Sequence, residues 1–279
     1  VESLLPKFSD LKFRGIQTSN CLQKVPCLVN IYKVSHYLKL FEDIVNSNNP
    51  EIYQDKVLSI IEHLKTKDKV LFLTTSNRWE GDKETPKSTQ LAEFIKSNVG
   101  DNVELIDVSK LNIYCCEGNV SKADGNNCGV KDAVLKDKEK NPSGNHRCWA
   151  SINNKDDELW KVSKPLLEAD CIIFFISVRW GQANSVYQKL IERLNWIENR
   201  ATTLEEDSII EGKEVGIIAL GQNWNGENVI ATQKQVLDFY GFTVLDKLCF
   251  NWQYTKNVTD ETQKSYKEAP KAFEKTFGI

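Results

Sequence analysis

The stretch CIIFFISVRWGQANSVYQKLIERLNWIENR, residues 171–200, decides how the chain is read. Its opening, residues 171–177, is an unbroken apolar run of strand length, rich in Ile and Phe. A strand buried on both faces reads this way, and such strands belong to parallel sheets covered by helices on either side. The closing part sets Tyr187, Leu190, Ile191, Leu194 and Ile197 on one face at helical spacing, with Lys189, Glu192, Arg193 and Glu198 elsewhere. The unit is therefore strand, tight loop, helix. Its loop, VRWGQANS, falls at the carboxyl end of the strand, where open α/β sheets hold their ligands.

Working outward, the same alternation recurs. KVLFLTTS, from Lys69, is a β-branched and aromatic strand, and the run from Ser88 with Leu91, Ala92, Phe94 and Ile95 suits a helix ending near Gly100. VELIDVS, residues 103–109, is a second strand. A polar section then runs over about residues 110–156, too long for an ordinary connection and so an insertion. A helix with a kink expected at Pro165 leads into the central strand. EVGIIALG, residues 214–221, is a fourth strand; residues 227–240 form a helix closed by Gly241; FTVLDKLCF is a fifth strand; and the tail from Asp260 is a last helix, interrupted near Pro270. These elements predict an α/β fold, a three-layer doubly wound parallel sheet of five strands. Its expected order is the flavodoxin-like 2-1-3-4-5, with the ligand at the switch point between the first and third strands.

Residues 1–66 differ from the rest. Through Val34 there is no clear period; SHYLKLFEDIVN and PEIYQDKVLSIIEHLKTK then read as two helices, giving a mainly helical amino-terminal extension before the flavodoxin-like domain of residues 67–279, which carries the insertion. With 41% apolar and 27% charged residues and a net charge of −3, the chain of 279 residues has the composition of a soluble globule without a basic surface for nucleic acid. No apolar run reaches membrane-spanning length and VESLLPKFSD lacks a signal-peptide profile, so a cytosolic chain with reduced cysteines is expected. A homodimer or homotetramer is the expected assembly.

Three loops converge at the carboxyl edge: residues 75–89, 178–185 and 222–226. The first offers hydroxyls at Thr75, Ser76, Ser88 and Thr89, a guanidinium at Arg78 and a helix amino terminus, a combination suited either to a phosphate or to a plain helix cap. Two other phosphate motifs are absent: Lys87 and Ser88 follow Pro86 without the glycines of a P-loop, and no G-x-G-x-x-G follows the first strand. A phospho-acceptor domain would carry acidic residues where this chain has Thr75 and Ser177. Trp79, Trp180 and Trp224 fall one in each loop, which together favours a planar aromatic guest bearing a phosphate.

At these residues the chain resembles the flavodoxin-like NAD(P)H-dependent FMN reductases and their iron-sulfur flavoprotein relatives, over residues 69–250. TSNR followed by KSTQLA resembles that family's phosphate loop, with Ser76, Arg78, Ser88 and Thr89 at matching positions. SVRWGQANS resembles the second flavin loop, which implies that backbone groups of Val178, Arg179, Trp180, Gly181 and Gln182 meet the isoalloxazine edge. GQNWNG, with Gln222, Asn223 and Trp224, stands at the third loop. The first loop is longer than the family's, and Val178 and Arg179 replace its common Pro and apolar residue. The resemblance implies FMN as cofactor, NAD(P)H as co-substrate and hydride transfer to the flavin, with electrons passing to a quinone, a free flavin or a similar small acceptor. A flavin-binding electron carrier without NAD(P)H turnover is the alternative. No acid-base side chain is required, in keeping with His36, His63 and His146 forming no recognisable triad. Arg179 is the candidate tuner of the flavin. Cys115, Cys116, Cys128 and Cys148 share the insertion, but their spacing matches no common zinc or ferredoxin pattern, so ordinary thiols are expected there, with a metal or iron-sulfur site the alternative that the iron-sulfur relatives imply.

Overall fold

The computed structural model describes residues 50–79 and 82–279. The helix expected near residues 35–46, with His36, Cys21 and Cys27, lies outside them. The order begins α1 (Pro50–Leu64), β1 (Val70–Thr74), α2 (Lys87–Val99), β2 (Val103–Asp107), α3 (Trp149–Asn153) and α4 (Trp160–Glu168). It continues β3 (Cys171–Arg179), β4 (Gln182–Ala183), α5 (Ser185–Thr202), β5 (Glu214–Gly221), α6 (Gly226–Tyr240), β6 (Thr243–Val244), β7 (Phe250–Gln253) and α7 (Gln263–Phe277).

The sheet runs β2-β1-β3-β5, followed by β6 and β7, both of which pair with β5 in parallel. Among the described strands only β4 runs antiparallel, returning along the end of β3. This is the doubly wound α/β architecture that the apolar runs called for, and period-two alternation divides its two faces. Leu71, Leu73, Ile172, Phe174, Ile176, Val215 and Ile217 face α4, α5 and the insertion. Val70, Phe72, Ile173, Phe175, Ile218 and Leu220 face the opposite layer, where Val57, Ile60, Ile61 and Leu64 of α1 join Leu91 and Ile95 of α2 and Phe273 and Phe277 of α7. The sequence reading grouped α1 with the extension; its apolar stripe forms part of the cover of the sheet.

Two expectations require correction. FTVLDKLCF is not one strand: a 3-10 turn, Asp246–Leu248, separates β6 from β7. The reason is a close approach. Leu248 presses into the space that a side chain at Gly216 would fill, where a Cβ would stand 2.4 Å from the Leu248 Cβ and 2.5 Å from its carbonyl oxygen. We expect Gly216→Ala to destabilise the protein by about 1–3 kcal/mol, read from urea denaturation; a change below about 0.5 kcal/mol would show that the turn shifts freely. The helix α7 is the second correction, since it passes through Pro270 without a break.

The insertion is fastened to α5 through a buried network. Arg193 Nη1 donates to Asp157 Oδ1 at 2.7 Å and to the Tyr114 carbonyl at 2.8 Å, and both charged side chains have no exposed surface. Arg193 Nη2 donates to Ser151 Oγ at 2.9 Å, and Ser151 passes its own proton to Asp157 Oδ2 at 2.7 Å. Ser151 Oγ must then accept from His146 Nε2 at 3.0 Å, which leaves Nδ1 to accept from Ser163 Oγ at 2.6 Å. His146 is thus a neutral ring, stacked on Trp196 at 5.2 Å. Burial, reinforced by the nearby Arg193 charge, lowers its pKa from 6.5 to about 4.

This shift fixes a pH dependence. The unfolded chain binds a proton at His146 that the folded chain refuses between about pH 6.5 and 4, so the stabilisation is complete above that window and declines as pH falls through it. The expected loss is about 3 kcal/mol by pH 4, measured by denaturant unfolding at pH 7 and 4.5. His146→Gln should remove that part of the slope; a parallel slope in the variant would contradict the assignment.

Candidate functional site

Strands β1 and β3 are adjacent and in register, Thr74 opposite Phe175, and the chain departs from their tips in opposite directions. The loops after β1, β3 and β5 therefore leave the sheet at one carboxyl edge, where open α/β sheets hold their ligands. Thr75 and Asn184 join the first two. Thr75 Oγ1 donates to Asn184 Oδ1 at 3.0 Å, and Asn184 Nδ2 donates to the Thr75 carbonyl at 2.6 Å. Thr75 thus commits its hydroxyl to the loop itself. Asn184 was not singled out from sequence; its place immediately before α5 reads as a cap, yet it makes no side-chain cap bond and reaches across to β1 instead.

Ser76, Ser88 and Thr89 are buried. Ser88 Oγ donates to Ser76 Oγ at 2.6 Å, whereas Thr89 Oγ1, in the first turn of α2, is buried without a partner, as is Ser177 Oγ at the tip of β3. The helix begins at Lys87, with Pro86 as its N-cap and no side chain capping it. Thr74 Oγ1, at the carboxyl end of β1, is a third such hydroxyl; buried hydroxyls without partners need an explanation, and three of them stand at this edge.

Three cations gather here. Burial lowers the pKa of Lys87, with Glu84 opposing and Arg78 adding to the fall, while Arg179 is lowered by burial and then by Arg78. Arg78 therefore presses on both of its neighbours. The available carboxylates are loosely placed: Glu84 lies 3.8 Å from Arg78 and 4.0 Å from Lys87, and Asp82 lies 4.0 Å from Arg78. Arg179 Nη2 donates to the Asn77 carbonyl at 3.1 Å, which holds the second loop against the first.

The second loop differs from expectation. β3 continues to Arg179 and turns back at once, pairing Val178 with Ala183 and Arg179 with Gln182. Trp180 and Gly181 make the two-residue turn, both left-handed, with φ of 51° and 67°. Such turns match the twist of a hairpin but strain a bulky residue; Gly181 is the glycine usual at the second position, whereas Trp180 stands where Asn, Asp or Gly is preferred. The third loop holds this turn in place. Trp180 N donates to Asn223 Oδ1 at 3.1 Å, Asn225 Nδ2 donates to the Gly181 carbonyl at 2.8 Å, and the Trp224 ring covers Gly181 so closely that a Cβ would stand 2.4 Å from it. The backbone at Trp180 and Gly181 is thus partly engaged within the protein. Gln222 is tied elsewhere, donating to the Tyr266 carbonyl at 3.2 Å.

Trp79 and Trp180 are 78% and 83% exposed, unlike the half-buried Trp224. The described histidines lie away from this edge, His63 beside Glu214 at 2.6 Å and His146 within the insertion. Of the insertion cysteines, Cys115 is exposed, Cys116 and Cys128 are half-buried and Cys148 is buried. Among the described residues no group of three or more His, Cys, Asp or Glu side chains is placed to hold a metal ion. No described helix is long and apolar enough to cross a membrane.

The fold is a flavodoxin-like α/β sheet, and the loops after β1, β3 and β5 meet at its carboxyl edge. Solved structures of similar shape include RosB, determined with bound 8-demethyl-8-formylriboflavin-5'-phosphate. The similarity covers 75% of this chain and 73% of RosB, with 14% identity and a TM-score of 0.49. An azoreductase from Bacillus anthracis str. Sterne matches over 75% of this chain and 96% of its own, with 16% identity and a TM-score of 0.44. An NADPH-quinone reductase from P. pentosaceus matches over 76% and 99%, with 11% identity and a TM-score of 0.39. No family model matches the chain, and no curated protein matches its sequence.

Proposed function

We propose that the protein is an FMN-dependent NAD(P)H oxidoreductase that passes electrons to a quinone, a flavin or a similar small acceptor, working as a homodimer or homotetramer. The observation that carries this reading is the gathering of Arg78, Lys87 and Arg179 around the start of α2, beside a buried Thr89 hydroxyl that has no partner. A dianionic phosphate suits such a place. It would relieve the mutual repulsion of the cations and accept from the hydroxyl and the helix amino terminus.

Ser76, Arg78, Lys87, Ser88 and Thr89 would hold the phosphate. The hairpin around Trp180 and Gly181, with Asn223 and Trp224 behind it, would flank the ring system. FMN bound there would supply acceptance of a hydride from the nicotinamide and onward delivery of electrons. The chain's own tasks are then to position and to tune. Asn184 fixes the spacing of the first two loops, and Asn223 and Asn225 fix the turn that flanks the ring. Arg179 brings a cation to the crevice, and a cation beside the ring favours the more negative, reduced flavin. Arg179→Ala should leave the fold intact, because the side chain lies outside both apolar layers, and should lower the flavin midpoint potential. An unchanged potential would reject the tuning role.

The reading is tested by the visible spectrum of the purified protein and by release of FMN on denaturation. A colourless preparation that takes up no added FMN defeats it. Oxidation of NAD(P)H with an added quinone then distinguishes the enzyme from an electron carrier, which would bind flavin without turnover.

A further inference from the structure

The turn at Trp180 and Gly181 needs support from outside itself. Trp180 has a φ of 51° and its indole is 83% exposed, so the side chain returns little packing for a backbone conformation that bulky residues avoid. Support reaches it from Asn223, whose Oδ1 accepts from Trp180 N at 3.1 Å. An Asn amide carries an acceptor on one side and donors on the other, and turned over it would face Trp180 N with a second donor. Its orientation therefore has to be set by a further group.

Glu261 is placed to set it. Asn223 Nδ2 donates to Glu261 Oε2 at 3.0 Å, and a carboxylate only accepts, which directs Oδ1 toward Trp180. Glu261 is itself held at both oxygens. Thr255 Oγ1, buried just beyond the end of β7, donates to Oε1 at 2.6 Å, and Tyr266 Oη, from the first turn of α7, donates to Oε2. The carbonyl of Tyr266 accepts from Gln222 Nε2, and Gln253 Nε2 of β7 donates to the Asn223 carbonyl at 3.0 Å. The third loop is thus suspended between β7 and the start of α7, and an acceptor-only side chain from outside the loop orients the amide that reaches the second loop.

We propose that Glu261 is a positioning residue for the site at the carboxyl edge. By orienting the Asn223 amide it keeps the Trp180–Gly181 turn left-handed, and so sets the wall that this turn presents to a bound ring. The effect on the turn stands by itself, whereas the effect on a ring rests on the flavin reading.

Amide hydrogen exchange and flavin titration of the whole protein test it. Glu261→Ala should speed exchange at Trp180, and at Gln182 opposite Arg179, by at least about tenfold, while the amides of β5 keep the parent rate. Glu261→Gln leaves an oxygen for Asn223 and should stay within about threefold of the parent. Asn followed by Gly forms a left-handed turn unaided. In a Trp180→Asn background, Glu261→Ala should therefore change the Gln182 rate by less than about twofold. Riboflavin and FMN should both bind the Glu261→Ala protein about fivefold more weakly, by the same factor because the phosphate loop is untouched. Unchanged exchange at the turn overturns the proposal, as does uniform acceleration that includes β5, which would make Glu261 a general stabiliser. Equal acceleration at Gln182 with and without Trp180→Asn overturns it too, and so does parent-like flavin affinity beside a loosened turn. A parent protein that takes up no flavin defeats the flavin reading instead, and the exchange rates still decide whether Glu261 governs the turn.

Discussion

Alanine at both Arg78 and Lys87 is expected to weaken FMN binding by about two to four orders of magnitude, while riboflavin, which lacks the phosphate, stays within about threefold of the parent protein. Each charge-assisted bond to a phosphate oxygen contributes about 1.5–3 kcal/mol. The two cations are held near each other by the fold, Lys87 as the first residue of α2 and Arg78 on the loop leading to it. Among the described residues the carboxylates nearest them stand at 3.8–4.0 Å, too far for close hydrogen bonds, so a bound dianion has little competition from these to displace. Fluorescence titration at constant ionic strength measures both ligands, since salt screens exposed charges. Equal weakening for FMN and riboflavin would move the two residues to the ring, and no weakening for either would remove the phosphate from this loop.

The largest effect on stability is expected at Arg193. Alanine there removes the bonds to Asp157, Ser151 and the Tyr114 carbonyl and leaves a carboxylate without exposed surface and without its counter-charge. Breaking a buried pair from one side costs about 3–5 kcal/mol. Burial by itself would raise the Asp157 carboxyl, but the Arg193 bond and charge, aided by Ser151 and the Tyr114 backbone, hold it below the ordinary carboxylate range. Without Arg193, Asp157 must take up a proton or draw in water. Replacing both residues by leucine should recover part of the loss, because a packed apolar pair avoids the desolvation of two charges. Urea denaturation of the single and double variants decides it. An Arg193→Ala protein within about 1 kcal/mol of the parent would mean that the insertion contributes little to the folded state.

Arg193 also shows where sequence reading stops. Its helix was legible because Tyr187, Leu190, Leu194 and Ile197 follow the helical period, and they do face the core. The same pattern put Arg193 and Glu198 on the polar side, whereas the insertion covers that side and buries both. No local period reports a lid that comes from a distant part of the chain. Strands β3 and β5 were legible for a related reason, since residues buried on both faces leave continuous apolar runs. The break between β6 and β7 left only Asp246 and Lys247 as its mark. The first loop was read from its hydroxyls and Arg78; the contribution of Lys87 required knowledge of how deeply its side chain is buried. Asn184 was hidden because a residue before a helix is expected to cap it.

The turn at Trp180 has a practical corollary for spectroscopy. An indole raised this far into solvent emits at long wavelength and is open to collisional quenchers, as is that of Trp79, whereas Trp196 and Trp252 are enclosed in the two apolar layers. Acrylamide should therefore extinguish a distinct red-edge component of the emission. A planar molecule entering between the loops would shield that component first, which gives the crevice an intrinsic optical reporter without any added label.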